Sequence, residues 1–209
     1  MDFFEYRHMI FVDGENFTIR GREFAKAAGL KLIEGSSWVP DTFLWFPGMH
    51  GEYPEFSRQA WMARHMQRVD IQAQKAFYYT AVAGDERKLR KTRLAIRALG
   101  FEPNVFKKLK GTRSKGVDVS LTTDIVSLAY RDRYDVAYLL AGDGDYEPMI
   151  NEVKRAGKRV AVAFFEKQGL NPELRIAADR FIDVSKQFEL YWKQEHSRLE
   201  QEKNDLGNS

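Results

Sequence analysis

Short, continuously apolar runs alternate with segments of helical periodicity along most of this chain. Runs of this kind occupy residues 8–12, 135–141 and 159–165, and valine, leucine and phenylalanine are frequent in them. Such a run indicates a strand that is buried on both faces, as the strands of parallel sheets are. Because helical segments separate the runs, the sequence predicts an α/β fold with a central, mostly parallel sheet between two layers of helices.

The same patterns predict the remaining elements. Further strands are predicted over residues 70–82, 101–109 and 180–184. Helices are predicted over residues 17–30, 56–68, 85–99, 117–130, 146–156, 171–179 and from 185 to about 203. Residues 31–55 are rich in proline, glycine and large aromatic residues, which indicates an irregular insertion. We predict one domain over residues 1–184, followed by a C-terminal helix and frayed tail over 185–209.

Composition restricts the chemistry that the chain can perform. The chain has 209 residues and no cysteine, which excludes disulfides, zinc–thiolate sites and thiol catalysis. Its four histidines lack the spacing of a metal site, so a bound metal would have oxygen ligands. No apolar run reaches the ~20 residues of a membrane span, and the N-terminus does not resemble a signal peptide. We therefore expect a cytoplasmic protein that does not bind membranes.

Aspartates follow two predicted strands at their carboxyl ends, where parallel sheets bind ligands. Asp13 follows the strand at 8–12, and Asp143 and Asp145 follow the strand at 135–141. Asp118 lies in the first turn of the helix predicted at 117–130, where the helix dipole favours a negative charge. These four carboxylates would repel one another without a cation, so we predict a metal site for Mg²⁺ or Mn²⁺.

One further aspartate is a candidate for this site. Asp124 comes six positions after Asp118, about 120° around an ideal helix, so it reaches the site only if that helix lies edge-on to it. Asp145 and Asp124 are candidates to orient metal-bound water.

Each motif also has a purely structural interpretation. Asp13 and Gly14 form a common turn pair, and Asn16 and Asp145 could each cap a following helix. Asp118 could act only as a stabiliser of its helix. The order of the motifs and the elements that carry them make the catalytic interpretation specific.

Positive charge is concentrated in one part of the chain, although the net charge is only +3. The range from position 87 to position 115 contains eleven basic residues and a single acidic residue, Glu102. Such a pattern is typical of phosphate binding. We predict that the phosphate backbone of a nucleic acid contacts Lys107, Lys108, Lys110, Arg113 and Lys115. A solvated helix face with a flexible basic loop is the alternative.

Aromatic residues of the irregular segment could contact unpaired bases. Trp38 and Trp45 are the candidates for base stacking. Alternatively, the aromatics pack this segment onto the core or form a homodimer contact, since large aromatic residues are mostly buried.

Three motifs resemble those of a known family. They are IFVDGENF at residues 10–17, KGVDVSLTTDIVSLA at 115–129 and LLAGDGDYEPMINEVKRAGKRV at 139–160. Their order and placement are similar to the NYN domain of the PIN-like nuclease superfamily, most closely its LabA-like branch, over about residues 9–184. The resemblance implies a Rossmann-like α/β/α sandwich and ribonuclease activity with Mg²⁺ or Mn²⁺.

The resemblance also assigns roles to individual residues. It implies metal binding and catalysis by Asp13, Asp118, Asp143 and Asp145, a metal role for Asp124, and a substrate-orienting role for Asn16. The segment at 31–55 is longer and more aromatic than the family pattern, and no RNA-binding domain is appended.

We therefore predict a metal-dependent nuclease that cuts single-stranded RNA, with RNA favoured over DNA. An RNA-binding or regulatory protein with little activity is the first alternative. A phosphatase or nucleotide hydrolase is the second. The absence of a Walker A motif disfavours nucleotide-driven chemistry. Glu15, in place of an aspartate two residues after Asp13, disfavours a phospho-aspartate phosphatase.

Overall fold

A parallel sheet runs through the centre of the structure, which is a computed structural model that describes residues 7–35, 37–46, 73–108 and 116–207. The strands are β1 His8–Asp13, β2 Trp38–Val39, β3 Phe43–Leu44, β4 Ala73–Val82, β5 Glu102–Lys107, β6 Val136–Leu140, β7 Arg159–Phe164 and β8 Arg180–Asp183. The helices are α1 Gly14–Ala27, α2 Glu86–Ala98, α3 Val117–Tyr130, α4 Glu147–Arg155, α5 Pro172–Ala177 and α6 Ser185–Gly207.

The strand order of the main sheet is β5-β4-β1-β6-β7-β8, and all of its strand pairs are parallel. The chain moves outward from β1 to β4 and β5, and then crosses back to β6 on the other side of β1. The carboxyl ends of β1 and β6 therefore flank the point where the strand order reverses. Ligands bind at this crevice in doubly wound α/β sheets.

Each face of the sheet packs against its own layer of helices. Ile10 and Val12 of β1 join a core cluster with side chains of α1, α2 and α6. Met9 and Phe11, the alternate residues of the same strand, join a second cluster with α3, α4 and α5. The predicted α/β/α sandwich with a mostly parallel central sheet is therefore confirmed.

Helix α1 begins at Gly14, three residues earlier than the sequence pattern predicts. Its first turn forms because the side chain of Asp13 accepts a hydrogen bond from the backbone N–H of Asn16 at 3.0 Å. An aspartate in this N-cap position satisfies one of the free N–H groups of the first helical turn. The Asp13–Gly14 pair is therefore a helix start, and its interpretation as a turn is wrong.

The segment expected to be an irregular insertion contains an antiparallel hairpin, β2–β3, in its described part. Tyr78 of β4 donates a hydrogen bond from its hydroxyl to the carbonyl of Leu44 at 2.8 Å, and Thr80 donates to the carbonyl of Thr42 at 3.2 Å. These bonds attach the hairpin to the main sheet. The helix predicted at residues 56–68 lies outside the described residues.

The C-terminal helix α6 packs one face against the core through Phe188, Tyr191 and Trp192. It continues to Gly207, about one turn beyond the predicted end. Among the described residues, no helix has both the length and the apolar character that crossing a membrane requires.

Gly14 offers a test of this packing. A Cβ atom at Gly14 would overlap ring carbon Cε1 of Tyr78. The Tyr78 ring is fully buried and tied to the hairpin, so it cannot move aside without loss. We expect Gly14→Ala to lower the free energy of unfolding by roughly 1–3 kcal/mol, despite the better helix propensity of alanine.

Chemical denaturation measures this effect, and Gly35→Ala is the matched control. A Cβ atom at Gly35 meets no described atom within 4 Å. An equal effect of the two substitutions would contradict the packing role of Gly14.

Candidate active site

The crevice at the carboxyl ends of β1 and β6 contains a cavity of about 260 Å³. It is lined by Asp13, Glu15, Asn16, Ile19, Arg20, Asp118, Asp143 and Asp145. The structure thus brings the four predicted aspartates to one cavity, from three separate parts of the chain. Five carboxylates against one guanidinium give this cavity a strongly negative charge.

Asp13 lies at the floor of this cavity, with only 3% of its surface exposed. One carboxylate oxygen accepts the N–H of Asn16 at 3.0 Å, and the other accepts the hydroxyl of Tyr146 at 2.9 Å. Burial raises the pKa of Asp13, these two hydrogen bonds lower it, and the charges of Asp118 and Glu15 raise it, which together give a pKa of about 7. The protein therefore holds a carboxyl group whose charged form is costly without a nearby cation.

The hydroxyl of Tyr146 connects two of the predicted catalytic acids. Its oxygen lies 2.9 Å from Oδ2 of Asp13 and 3.1 Å from Oδ1 of Asp118. A tyrosine hydroxyl has a single hydrogen, so it cannot donate fully to both carboxylates. The hydrogen bond with Tyr146 lowers the pKa of both Asp13 and Asp118, so the hydroxyl favours the charged form of each carboxyl group.

Asp118 lies in the first turn of α3, as predicted. Its partial burial in the cavity wall raises its pKa, the hydrogen bond from Tyr146 lowers it, and the negative charges of Asp143, Glu15 and Asp145 raise it. The charge of Asp118 thus raises the pKa of Asp13, and the charges of Asp143 and Asp145 raise that of Asp118.

Asn16 does not cap a helix, contrary to one interpretation of the sequence. Its side-chain oxygen accepts the backbone N–H of Gly142 at 3.0 Å. This bond ties α1 to the loop after β6 and so fixes Asp13 relative to Asp143. A substrate-orienting role for Asn16 stays a prediction.

The loop after β6 is shaped by Asp143. Its side chain accepts the N–H of Asp145 at 3.1 Å and caps a short 3₁₀ turn, Gly144–Tyr146, that leads into α4. The N-cap interpretation offered for Asp145 is therefore wrong, and its carboxylate lines the cavity instead.

Asp124 is not among the residues that line the cavity. Its carboxylate accepts a hydrogen bond from the hydroxyl of Tyr79 at 2.8 Å. Six residues along α3 carry it about 9 Å further along the axis and around the helix from Asp118. The predicted metal role of Asp124 is corrected to a structural contact between α3 and β4.

The donor set of the cavity suits a hard divalent cation, since it consists of carboxylate and amide oxygens. Within the described ranges, no three acidic or histidine side chains are close enough together to ligate one ion as they stand. Tyr146 lies between Asp13 and Asp118, so their carboxylates would have to turn towards each other to share an ion. Asp13, Asp118 and Asp143 are the residues that would hold it.

The predicted RNA contacts have different outcomes. Lys108 forms an ion pair with Glu15 at 2.5 Å at the edge of the cavity, and Lys107 is exposed at the end of β5. The remaining predicted cations, Lys110, Arg113 and Lys115, lie outside the described residues.

The predicted base stacking by Trp45 is wrong. Its side chain is 2% exposed and packs edge-on against Phe101, with ring centroids 4.7 Å apart. Trp38 is half-buried and packs against the same core. Both tryptophans anchor the hairpin to the core, which was the alternative interpretation.

Sequence reasoning missed three residues of the site. Glu15 and Arg20 line the cavity from α1, and Tyr146 joins two acids from the far side of the sheet crevice. Tyr146 directly follows the Asp143–Asp145 motif, but only the tertiary structure shows that its hydroxyl turns back to Asp13.

Comparisons with known proteins give a family and a fold. The NYN domain family model matches residues 7–186 of the chain. An uncharacterized protein of Methanocaldococcus jannaschii, MJ0482, is 29% identical over 104 residues, which cover 50% of this chain and 38% of that protein. A crystal structure of a protein of unknown function from Vibrio parahaemolyticus, VPA0982, superposes with a TM-score of 0.60 at 20% identity and covers 90% of this chain and 99% of its own.

We expect Tyr146→Phe to lower the free energy of unfolding by about 2–3 kcal/mol at pH 8 and by roughly 1 kcal/mol at pH 5. The difference arises because the hydroxyl stabilises charged Asp13 above its pKa of about 7. Denaturant titrations in EDTA at both pH values measure it. Tyr138→Phe is the matched control, since the buried Tyr138 hydroxyl has no hydrogen-bond partner among the described residues. Equal losses at both pH values would contradict the role given to Tyr146.

The raised pKa of Asp13 predicts a pH-dependent cost of folding. Its pKa rises from 3.8 to about 7 in the folded protein. The folded state therefore binds more protons between these values, and this residue reduces stability progressively as pH rises from 4 to 7. In EDTA, Asp13→Asn should become more stable than wild type with rising pH, by at most ~4 kcal/mol above pH 7.

Asp183→Asn is the control for this experiment. Asp183 also ends a strand and accepts the N–H of a residue that begins a helix, Ser185, but it is exposed. A stability difference between Asp13→Asn and wild type that does not change with pH would refute the assignment.

Proposed function

The chain belongs to the NYN domain family of PIN-like nucleases, and from this premise we propose that it is a metal-dependent ribonuclease acting on single-stranded RNA. The observation that carries the proposal is the convergence of Asp13, Asp118, Asp143 and Asp145 on one cavity at the reversal point of the sheet. The order of its three sequence motifs supports placing it in the LabA-like branch.

Each residue has a part in the proposed reaction. Asp13, Asp118 and Asp143 would hold Mg²⁺ or Mn²⁺, and Asp145 would orient water at the edge of the site. A divalent cation bound at this position would lower the pKa of a bound water and would compensate the negative charge that develops on the phosphate. Asn16 holds α1 against the loop after β6 through its hydrogen bond to Gly142.

Arg20 is a candidate to contact the phosphate of the substrate. It is the only cation that lines this acidic cavity among the described residues, and its guanidinium also pairs with Glu23 at 2.8 Å. Guanidinium groups bind phosphate oxygens in a bidentate manner and stabilise charge that develops during phosphate chemistry. We propose that Arg20 contacts the scissile phosphate. The preference for RNA over DNA rests on the family resemblance.

A binding or regulatory role with little intrinsic activity is the second candidate. It is favoured by one observation: no three acidic side chains of the described residues are arranged to ligate one ion as they stand. This candidate predicts RNA binding without cleavage in every metal tested.

The decisive test is cleavage of labelled single-stranded RNA and DNA with Mg²⁺, Mn²⁺ or EDTA. We expect metal-dependent cutting by wild type and a loss on the order of 1,000-fold, or about 4 kcal/mol, in Asp13→Asn and Asp143→Asn. Asp183→Asn should cut at the wild-type rate because it lies outside the cavity. Cleavage that persists in EDTA, or in Asp13→Asn, would eliminate the proposed mechanism. Bound but uncut RNA would favour the second candidate.

A further inference from the structure

A second cavity, of about 500 Å³, adjoins the acidic one. Glu15 and Ile19 of α1 line both cavities, so the two form neighbouring depressions along one helix. The second cavity lies between α1, the turn of the β2–β3 hairpin and the carboxyl end of β4 with the start of α2. We call it the cationic cavity, because Arg22, Lys88 and Lys108 line it.

Three cations and two carboxylates line the cationic cavity, so its net charge is positive, whereas that of the acidic cavity is negative. Arg22 pairs with exposed Asp41 at 3.2 Å, and Lys108 pairs with Glu15. Lys88 has no carboxylate partner in the described part of the chain, so its ammonium group is available to a ligand. Cations beside an acidic metal site suit a substrate that carries repeated negative charges, as a nucleic-acid strand does.

Hydroxyl groups on the floor of the cationic cavity supply a different contact. Thr80 donates its hydrogen to the carbonyl of Thr42, and Thr42 donates its own to the carbonyl of Pro40. Both hydroxyl oxygens therefore keep only the capacity to accept hydrogen bonds. Such acceptors complement the amino and imino groups of a nucleobase and would not donate to a phosphate.

The two cavities are arranged along one face of α1, as an extended strand that crosses both would require. Glu15, Ile19 and Arg22 recur at helical spacing on one face, and Glu15 and Arg22 are about 10 Å apart along the axis. A strand whose phosphate sits at the acidic cavity would thus pass directly over the cationic cavity. The volume of the cationic cavity falls in the range of small-molecule binding sites.

We propose that the cationic cavity binds the nucleotide next to the phosphodiester that is cut. Lys88, Arg22 and Lys108 contact its phosphate, and Thr42 and Thr80 accept hydrogen bonds from its base. This inference rests on the proposed nuclease function and adds to it the place where the substrate strand is held.

The test compares cations on the two faces of α2 and on α1. Lys88→Gln, Arg22→Gln and the double variant are measured beside Arg90→Gln, whose side chain is exposed and about 200° around α2 from Lys88. Binding of a fluorescein-labelled single-stranded RNA is followed by anisotropy in EDTA, and cleavage is followed in Mg²⁺ or Mn²⁺. Circular dichroism checks that each variant is folded.

We expect Kd and KM to rise roughly tenfold in the double variant, with kcat unchanged, because these contacts hold the strand without touching the reacting atoms. The slope of log Kd against log salt should fall by ~0.7 for each cation removed. Arg90→Gln should match wild type.

Asp41→Asn supplies a change in the opposite direction. It removes the negative charge beside Arg22, and asparagine tolerates the positive φ of 54° found at this position. We therefore expect Asp41→Asn to strengthen RNA binding. Weaker or unchanged binding would count against a role for Arg22 as a phosphate contact.

Photo-crosslinking with RNA that contains 4-thiouridine locates the base directly. Crosslinks to Ile19, Thr80 or Ala81 would support the proposal, and crosslinks confined to other surfaces would overturn it. If wild type cuts RNA and the double variant behaves as Arg90→Gln does, the cationic cavity is excluded and the nuclease function stands. If wild type neither binds nor cuts RNA, both proposals are overturned. A matched DNA strand, measured in parallel, shows whether the ribose hydroxyl contributes.

Discussion

The burial of the Asp13 carboxylate between β1 and α1 is the constraint on which the candidate site depends. The same side chain ends the central strand, caps the first turn of α1 and accepts a hydrogen bond from Tyr146. The capped turn places Asn16 against Gly142, which fixes the loop that carries Asp143. Burial of the Asp13 carboxylate is unfavourable unless each of its oxygens accepts a hydrogen bond. This one requirement therefore fixes the relative positions of residues that are far apart in the sequence.

The electrostatics of the site oppose folding, and this is informative about function. Burial and neighbouring negative charges raise the pKa of both Asp13 and Asp118. Groups with strongly shifted pKa values in a cleft concentrate at functional sites, because a merely structural position is better served by a neutral residue. The adjacent cationic cavity has the opposite charge, and the Glu15–Lys108 ion pair lies on the boundary between the two.

The segment of residues 31–55 shows where local pattern was misleading. Its prolines, glycines and aromatics predicted an irregular insertion whose tryptophans could stack bases, whereas its described part forms a hairpin and buries Trp45 and Phe46 in the core. Burial of these aromatic side chains removes a large apolar surface from water. This gain in free energy favours packing in the core over the exposed position that base stacking needs. The polar residues of the same segment, Asp41 and Thr42, instead line the cationic cavity.

The sequence by itself determined the layered α/β fold, since the fold follows from hydrophobic periodicity. It also determined which four aspartates are candidates for the site, since they lie at the ends of strands or at the start of a helix. The sequence also placed the strands of the main sheet and the described helices to within a few residues, but not the β2–β3 hairpin. Only the tertiary structure decided which polar groups meet: Tyr146 with Asp13 and Asp118, Asn16 with Gly142, and Asp124 with Tyr79 rather than with the site. The physical reason is that such contacts join side chains distant in sequence, and their geometry follows from how the helices pack on the sheet.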